Sequence, residues 1–74
     1  MEIAAAFGMV IRELRSEARL TQEQLGFEAD LRRTFISVLE LGQQQPTLTT
    51  IFKLGKALKI PASKIIELVE SRLA

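Results

Sequence analysis

Thr21-Gln22-Glu23-Gln24-Leu25-Gly26-Phe27-Glu28-Ala29-Asp30-Leu31-Arg32-Arg33-Thr34-Phe35-Ile36-Ser37-Val38-Leu39-Glu40-Leu41-Gly42 decides the fold. Its first four residues spell a capping box. The Thr21 hydroxyl accepts from the Gln24 amide while the Gln24 side chain returns to the Thr21 amide, and Leu20 and Leu25 close a hydrophobic staple over the same turn. A helix therefore begins at Gln22. It is predicted to end near Ala29, because Asp30 is a short polar residue that tolerates the left-handed conformation of a tight turn. Beyond Leu31 a second helix is predicted from Arg33 to Leu41 with Ile36 and Leu39 inward, and Gly42 supplies its left-handed stop.

Outside this stretch, apolar residues recur at spacings of three and four, with no sustained alternation to signal a strand. The fold is all-α. On the N-terminal side Ile3, Phe7, Val10, Ile11, Leu14 and Ala18 form one stripe of a helix placed near residues 2 to 18, with Arg12, Glu13, Ser16 and Arg19 opposite. On the C-terminal side Gln43, Gln44, Gln45 and Pro46 form a polar loop. Thr47 then caps a helix in which Leu48, Ile51, Leu54 and Leu58 have the buried spacing and Lys53 and Lys56 stay solvated. Ile60-Pro61 ends that run, since a residue before proline avoids the α region. A fifth helix is predicted from about Ala62 to Arg72. With no repeat, low-complexity segment or linker, the expectation is one domain over residues 1–74.

A chain of 74 residues has a small core, worth roughly 3 to 5 kcal/mol, and no room for a separate ligand-sensing unit. There is no cysteine to add a disulfide, so dimerisation is the remaining staple; the same absence fits a reducing cytoplasm. The apolar start lacks a basic leader, and no run approaches the roughly 18 to 20 apolar residues that span a bilayer. No membrane partner is expected. Without His, Cys, Tyr or Trp the usual general bases and soft metal ligands are missing, and the four glycines stand apart rather than forming a phosphate loop. These features argue against an enzyme, and no cofactor, metal or small-molecule ligand is expected. The net charge is only +1, so a nucleic-acid role requires the basic groups to cluster on one face.

Two short helices joined by a tight turn match the helix-turn-helix arrangement, whose second helix enters the major groove of DNA. The stretches Leu20-Thr21-Gln22-Glu23-Gln24-Leu25, Phe35 to Gly42, Pro46-Thr47-Leu48 and Leu54-Gly55-Lys56-Ala57-Leu58 make the chain similar to the Cro/C1-type helix-turn-helix family, the lambdoid repressor class. The resemblance spans about residues 7 to 66 and implies a five-helix lambda-repressor-like domain that binds double-stranded DNA. By it, Gln22 lies against a phosphate and supports the first residues of the second helix, which suits an amide beside the free N–H groups of a helix N-terminus; a merely solvated Gln22 is the alternative. The outward positions of the second helix, Arg33, Thr34, Ser37 and Val38, become the base-contact candidates. Arg33 has the geometry for a bidentate bond to guanine, or alternatively contacts a phosphate, while Thr34 and Val38 suit a thymine methyl and Ser37 a base or a phosphate.

Arg32 stands where the family has a small capping residue, giving up about 1 kcal/mol unless Asp30 caps instead. Adjacent cations at a helix N-terminus oppose the macrodipole, so Arg32 and Arg33 point to an anionic partner. The resemblance pairs Arg15 with Glu40 as a partly buried structural ion pair that ties the first helix to the end of the recognition helix and orients it, against the alternative of two unrelated surface charges. It assigns further phosphate contacts to Gln43, Gln44 and Thr47, which otherwise belong to a plain linker. On the last helix Ile65 and Leu68 suffice for the core, leaving Ile66, Val69 and Leu73 as a second stripe, joined by Phe52, for a homodimer interface; burial of both stripes within one chain is the alternative. A two-fold dimer would set its recognition helices about 34 Å apart over a pseudo-palindromic operator.

The implied function is a DNA-binding transcription regulator, similar to a phage Cro-like repressor or to the controllers of restriction-modification systems; Arg33-Thr34-Phe35-Ile36 favours the latter. The competing class is a helix-turn-helix that grips protein, antitoxin-like or coactivator-like. Phosphate neutralisation makes DNA affinity fall steeply with salt, which an apolar protein interface does not.

Overall fold

In the computed structural model, which describes residues 1–74, the elements are α1 (Ile3–Glu17), α2 (Gln22–Ala29), α3 (Arg33–Glu40), α4 (Leu48–Leu58) and α5 (Ala62–Leu73). The first four helices stop by one device. A left-handed residue follows the helix, at Arg19, Asp30, Gly42 and Lys59, with φ of 60°, 57°, 72° and 61°. Each time two amides turn back onto the last carbonyls, as where Leu31 N–H donates to the Gly26 carbonyl at 2.8 Å and Gln43 N–H to that of Val38 at 3.1 Å. This is the paired 6→1 and 5→2 closure of a Schellman motif. The residue after the left-handed one then sets the path of the chain. Leu20, Leu31 and Ile60 are apolar and pack half-buried against the core, whereas Gln43 is polar and exposed, so the α3–α4 connection runs over the surface.

All five helices contribute to a single core: Ala6, Phe7, Val10 and Ile11 from α1, Leu25 and Ala29 from α2, Ile36 and Leu39 from α3, Ile51, Leu54 and Leu58 from α4, Ile65 and Val69 from α5. Some expectations need correction. Ile3 is exposed, in the first turn of α1, and Ala18 lies exposed in the turn that follows Glu17. Leu48 is also exposed, because one residue in four places it beside the outward Phe52 while Thr50 and Ile51 turn inward. Val69, expected in an outer stripe, is 6 % exposed and belongs to the core with Ile65, while Leu68 is only half-buried.

Two close approaches position the helices. A Cβ on Gly8 would overlap the carbonyl oxygens of Leu39 and Glu40, so α1 meets the end of α3 backbone to side-chain-free backbone. On Gly26 it would stand 2.6 Å from the Leu31 carbonyl oxygen, inside the α2–α3 turn. Because neither obstacle is a flexible side-chain tip, Gly8→Ala is expected to cost about 1 to 3 kcal/mol, checked by urea unfolding with an unchanged m-value.

Candidate nucleic-acid interface

The start of α2 has both capping-box bonds: Gln24 N–H to Thr21 Oγ1 at 3.0 Å, and Thr21 N–H to Gln24 Oε1 at 2.8 Å. The start of α3 has none. Arg32 makes no capping bond, and the Asp30 carboxylate faces Lys53 of α4 at 3.8 Å while remaining almost wholly exposed. The Arg33 and Thr34 amides thus have no partner within the chain. They are among the orphan donors that every helix N-terminus carries.

α3 presents two sides. Ile36 and Leu39 are completely buried, Arg32, Arg33 and Thr34 are exposed, and Ser37 and Val38 are half-buried. The burial of Ile36 and Leu39 fixes which side of α3 faces out. Charge divides along the chain. From Leu31 to Ile66 there are six basic residues (Arg32, Arg33, Lys53, Lys56, Lys59 and Lys64) against one acidic residue, Glu40; residues 1 to 30 hold six acidic and three basic. The small net charge conceals a basic half and an acidic half.

Glu40 itself is neutralised. Arg15 donates to it twice, from Nε at 2.6 Å and from Nη2 at 3.1 Å, and Gln22 Nε2 donates at 3.0 Å to the oxygen that also receives Nη2. Arg15 Nη1 donates to the Leu20 carbonyl at 2.9 Å. The carboxylate side chain is only 4 % exposed. Its hydrogen bond to Arg15, opposed by desolvation and reinforced by the opposite charge, raises the guanidinium pKa above its ordinary value.

The remaining candidates are dispersed around this centre. Gln43 and Gln44 are exposed beyond α3, and the Thr47 hydroxyl caps α4 by accepting from Thr50 N–H at 3.1 Å. Phe52, Ile66 and Leu73 are exposed on α4 and α5; Val69 is not with them.

The helix-turn-helix family profile matches residues 11–65, three quarters of the chain and the whole of α2 and α3. The chain belongs to the helix-turn-helix family. It is similar to Control protein C.BamHI of Bacillus amyloliquefaciens, 38% identical over 66 residues that cover 88% of this chain and 82% of that one. It also resembles the Immunity repressor protein of Bacillus phage phi105, 36% identical over 59 residues, 80% of this chain but 41% of the repressor. Among solved structures, the restriction-modification controller protein C.AhdI from Aeromonas hydrophila superposes with a TM-score of 0.81 at 37% identity, covering 84% of this chain and 94% of that one. The all-α, five-helix architecture of this helix-turn-helix protein is that of the lambda-repressor-like class.

Sequence reasoning missed the Gln22 to Glu40 bond, the Arg15 bond to Leu20 and the Asp30–Lys53 contact, all of which depend on tertiary approach. It also passed over Phe27, 86 % exposed on α2, although its position off the Leu25 and Ala29 stripe was a usable signal. Removing one partner of a buried ion pair strands the other charge. Arg15→Met is therefore expected to cost about 3 kcal/mol, and Arg15→Met with Glu40→Leu to recover most of that loss, both read from urea unfolding midpoints.

Proposed function

We propose that this protein is a sequence-specific, DNA-binding transcription regulator of the cytoplasm that acts as a homodimer on a pseudo-palindromic operator, in the manner of the controllers of restriction-modification systems. The observation that carries the reading is the outer side of α3: Arg33 and Thr34 are exposed on a helix anchored by buried Ile36 and Leu39. Arg33, Thr34, Ser37 and Val38 are assigned to base edges, with Arg33 making the bidentate bond to guanine. Gln22, Arg32, Gln43, Gln44 and Thr47 are assigned to phosphates, which fix register without reading sequence. Thr47 must then share with the backbone a hydroxyl already used in its cap. The similarity to controller proteins by name, at 38% and 37% identity, supports the restriction-modification setting, in which the protein would act as an autoregulatory controller.

The dimer surface is assigned to Phe52, Ile66 and Leu73, all exposed and apolar. A second copy would remove this area from water and add stability that a core of this size needs. Occupancy then depends on dimer concentration, and the operator's position relative to the promoter sets repression or activation.

Selection of bound duplexes from a random pool is expected to enrich a pseudo-palindrome with half-sites about one helical turn apart; enrichment of no sequence would sink the proposal. On the selected duplex, Arg33→Ala is expected to lose about 1 to 3 kcal/mol of discrimination at one base step in each half-site. Phe52→Glu with Ile66→Glu is expected to shift sedimentation toward monomer and to weaken DNA binding in parallel. A dimer of unchanged affinity would place the interface elsewhere.

A further inference from the structure

Most of the charged side chains on α4 and α5 are engaged within the chain. Lys53 faces Asp30 at 3.8 Å, Lys64 pairs with Glu67 at 2.8 Å, and Arg72 pairs with Glu13. Lys56 of α4 and Glu70 of α5 are left over: both are exposed, and neither has an ion-pair partner. Each interrupts an apolar stripe. At helical spacing Lys56 follows Leu48 and Phe52 on the outer side of α4, and Glu70 lies between Ile66 and Leu73 on the outer side of α5, the four apolar residues all being exposed. The two stripes border one another. α4 meets the start of α5 at Gly55, where a Cβ would stand 2.9 Å from the Ile60 carbonyl oxygen and 3.3 Å from the Ala62 amide nitrogen; Gly55 is one turn from Phe52, and Ala62 one turn from Ile66.

A lysine in one stripe and a glutamate in the other make this surface self-complementary in one arrangement. A two-fold interface brings residue i of one copy to residue j of the other, and j to i. With α4 on α4 of the second copy, Lys56 would meet Lys56; with α5 on α5, Glu70 would meet Glu70. Crossing the helices turns both contacts into attractions. We propose that the homodimer packs α4 of each copy on α5 of the other, with Lys56 against Glu70 of the second copy at two symmetry-related positions, so that the face selects a second copy of this chain over other apolar surfaces. This rests on the homodimer reading above and adds Leu48 to its apolar surface. An exposed ion pair contributes little affinity. Its effect is on the choice of partner, because like charges brought together at an interface oppose association far more than an exposed pair favours it.

The test is sedimentation velocity of the full chain without DNA, at about 0.1 M salt, where charges act over roughly 10 Å. Lys56→Glu alone and Glu70→Lys alone each set like charges together at both positions, and each is expected to raise the dimer dissociation constant about tenfold or more, with helicity by circular dichroism unchanged. Mixed in equal amounts, the two variants are expected to sediment as a dimer again, since in the mixed dimer every reversed charge faces an opposite one. Single variants that dimerise like the wild type would overturn the proposal, and so would a mixture that stays monomeric. Should a single variant lose its helices, the chain carrying both Lys56→Glu and Glu70→Lys decides. It is expected to dimerise with itself and, fluorescently labelled, to be excluded from wild-type dimers; free exchange between the two would overturn the pairing. A wild-type chain that sediments only as a monomer is a separate outcome, which removes the homodimer reading itself.

Discussion

A buried carboxylate is the constraint around which the rest of this molecule is arranged. Glu40 sits at the end of α3 with almost none of its side chain in water, and a charge in that position is costly unless donors surround it. Arg15 supplies two donors and Gln22 a third, which obliges α1 and the start of α2 to come to the same point. Gly8 makes the approach feasible, since a side chain there would collide with the Leu39 and Glu40 carbonyls. The orientation of α3 is therefore fixed by one ionic contact and one steric allowance, with Ile36 and Leu39 filling the space between. Replacing the contact by apolar groups need not lower stability, so its value lies in geometry: it fixes where α3 ends.

Stability must come from elsewhere, and the supply is thin. Thirteen apolar residues form the core. Three of the four left-handed helix stops use Arg19, Asp30 and Lys59 in place of glycine, a conformation that disfavours L side chains by about 1 kcal/mol or more. What each stop gains is a hydrogen-bonded closure followed by an apolar residue on the core, Leu20, Leu31 or Ile60. The exception, Gly42 followed by Gln43, comes where the chain leaves the core for the exposed connection to α4. The turn chemistry thus separates segments that build the core from the segment that borders the proposed DNA surface.

Features written in adjacent residues were legible in the sequence. The Thr21 capping box, the left-handed Asp30, the Gly42 stop and the Thr47 cap each depend on four or five neighbouring residues, and each is present. Periodicity was weaker. It identified the inward Ile36 and Leu39, but it could not tell which of two adjacent stripes on α5 faced the core, because Val69 lies between them; nor could it see that Leu48 and Ile3, in the opening turns of their helices, have nothing packed over them. The Arg15–Glu40 assignment came from resemblance rather than spacing, 25 residues apart. The Gln22 bond spans 18 residues and has no local signature, since a glutamine at a helix start is equally suited to solvent. Bulk charge decided nothing: +1 overall is the sum of an acidic first part and a basic second part.

That division of charge bears on the start of α3, where Arg32 and Arg33 meet uncapped amides. Both act with the same sign. Two basic residues open the helix at the positive end of its dipole, and the Asp30 carboxylate faces Lys53 instead of capping the helix. In the free protein the start of α3 therefore forgoes a cap and brings like charges together, each a modest loss on an already small total. An anion placed there would reverse both effects at once, because it accepts from the orphan amides and screens the two cations from each other. A duplex offers such anions in a row beside the bases that Arg33 and Thr34 would reach. In the proposed reading, the arrangement that is locally unfavourable in the unbound chain is thus the one that would favour a polyanion over water on the exposed side of α3.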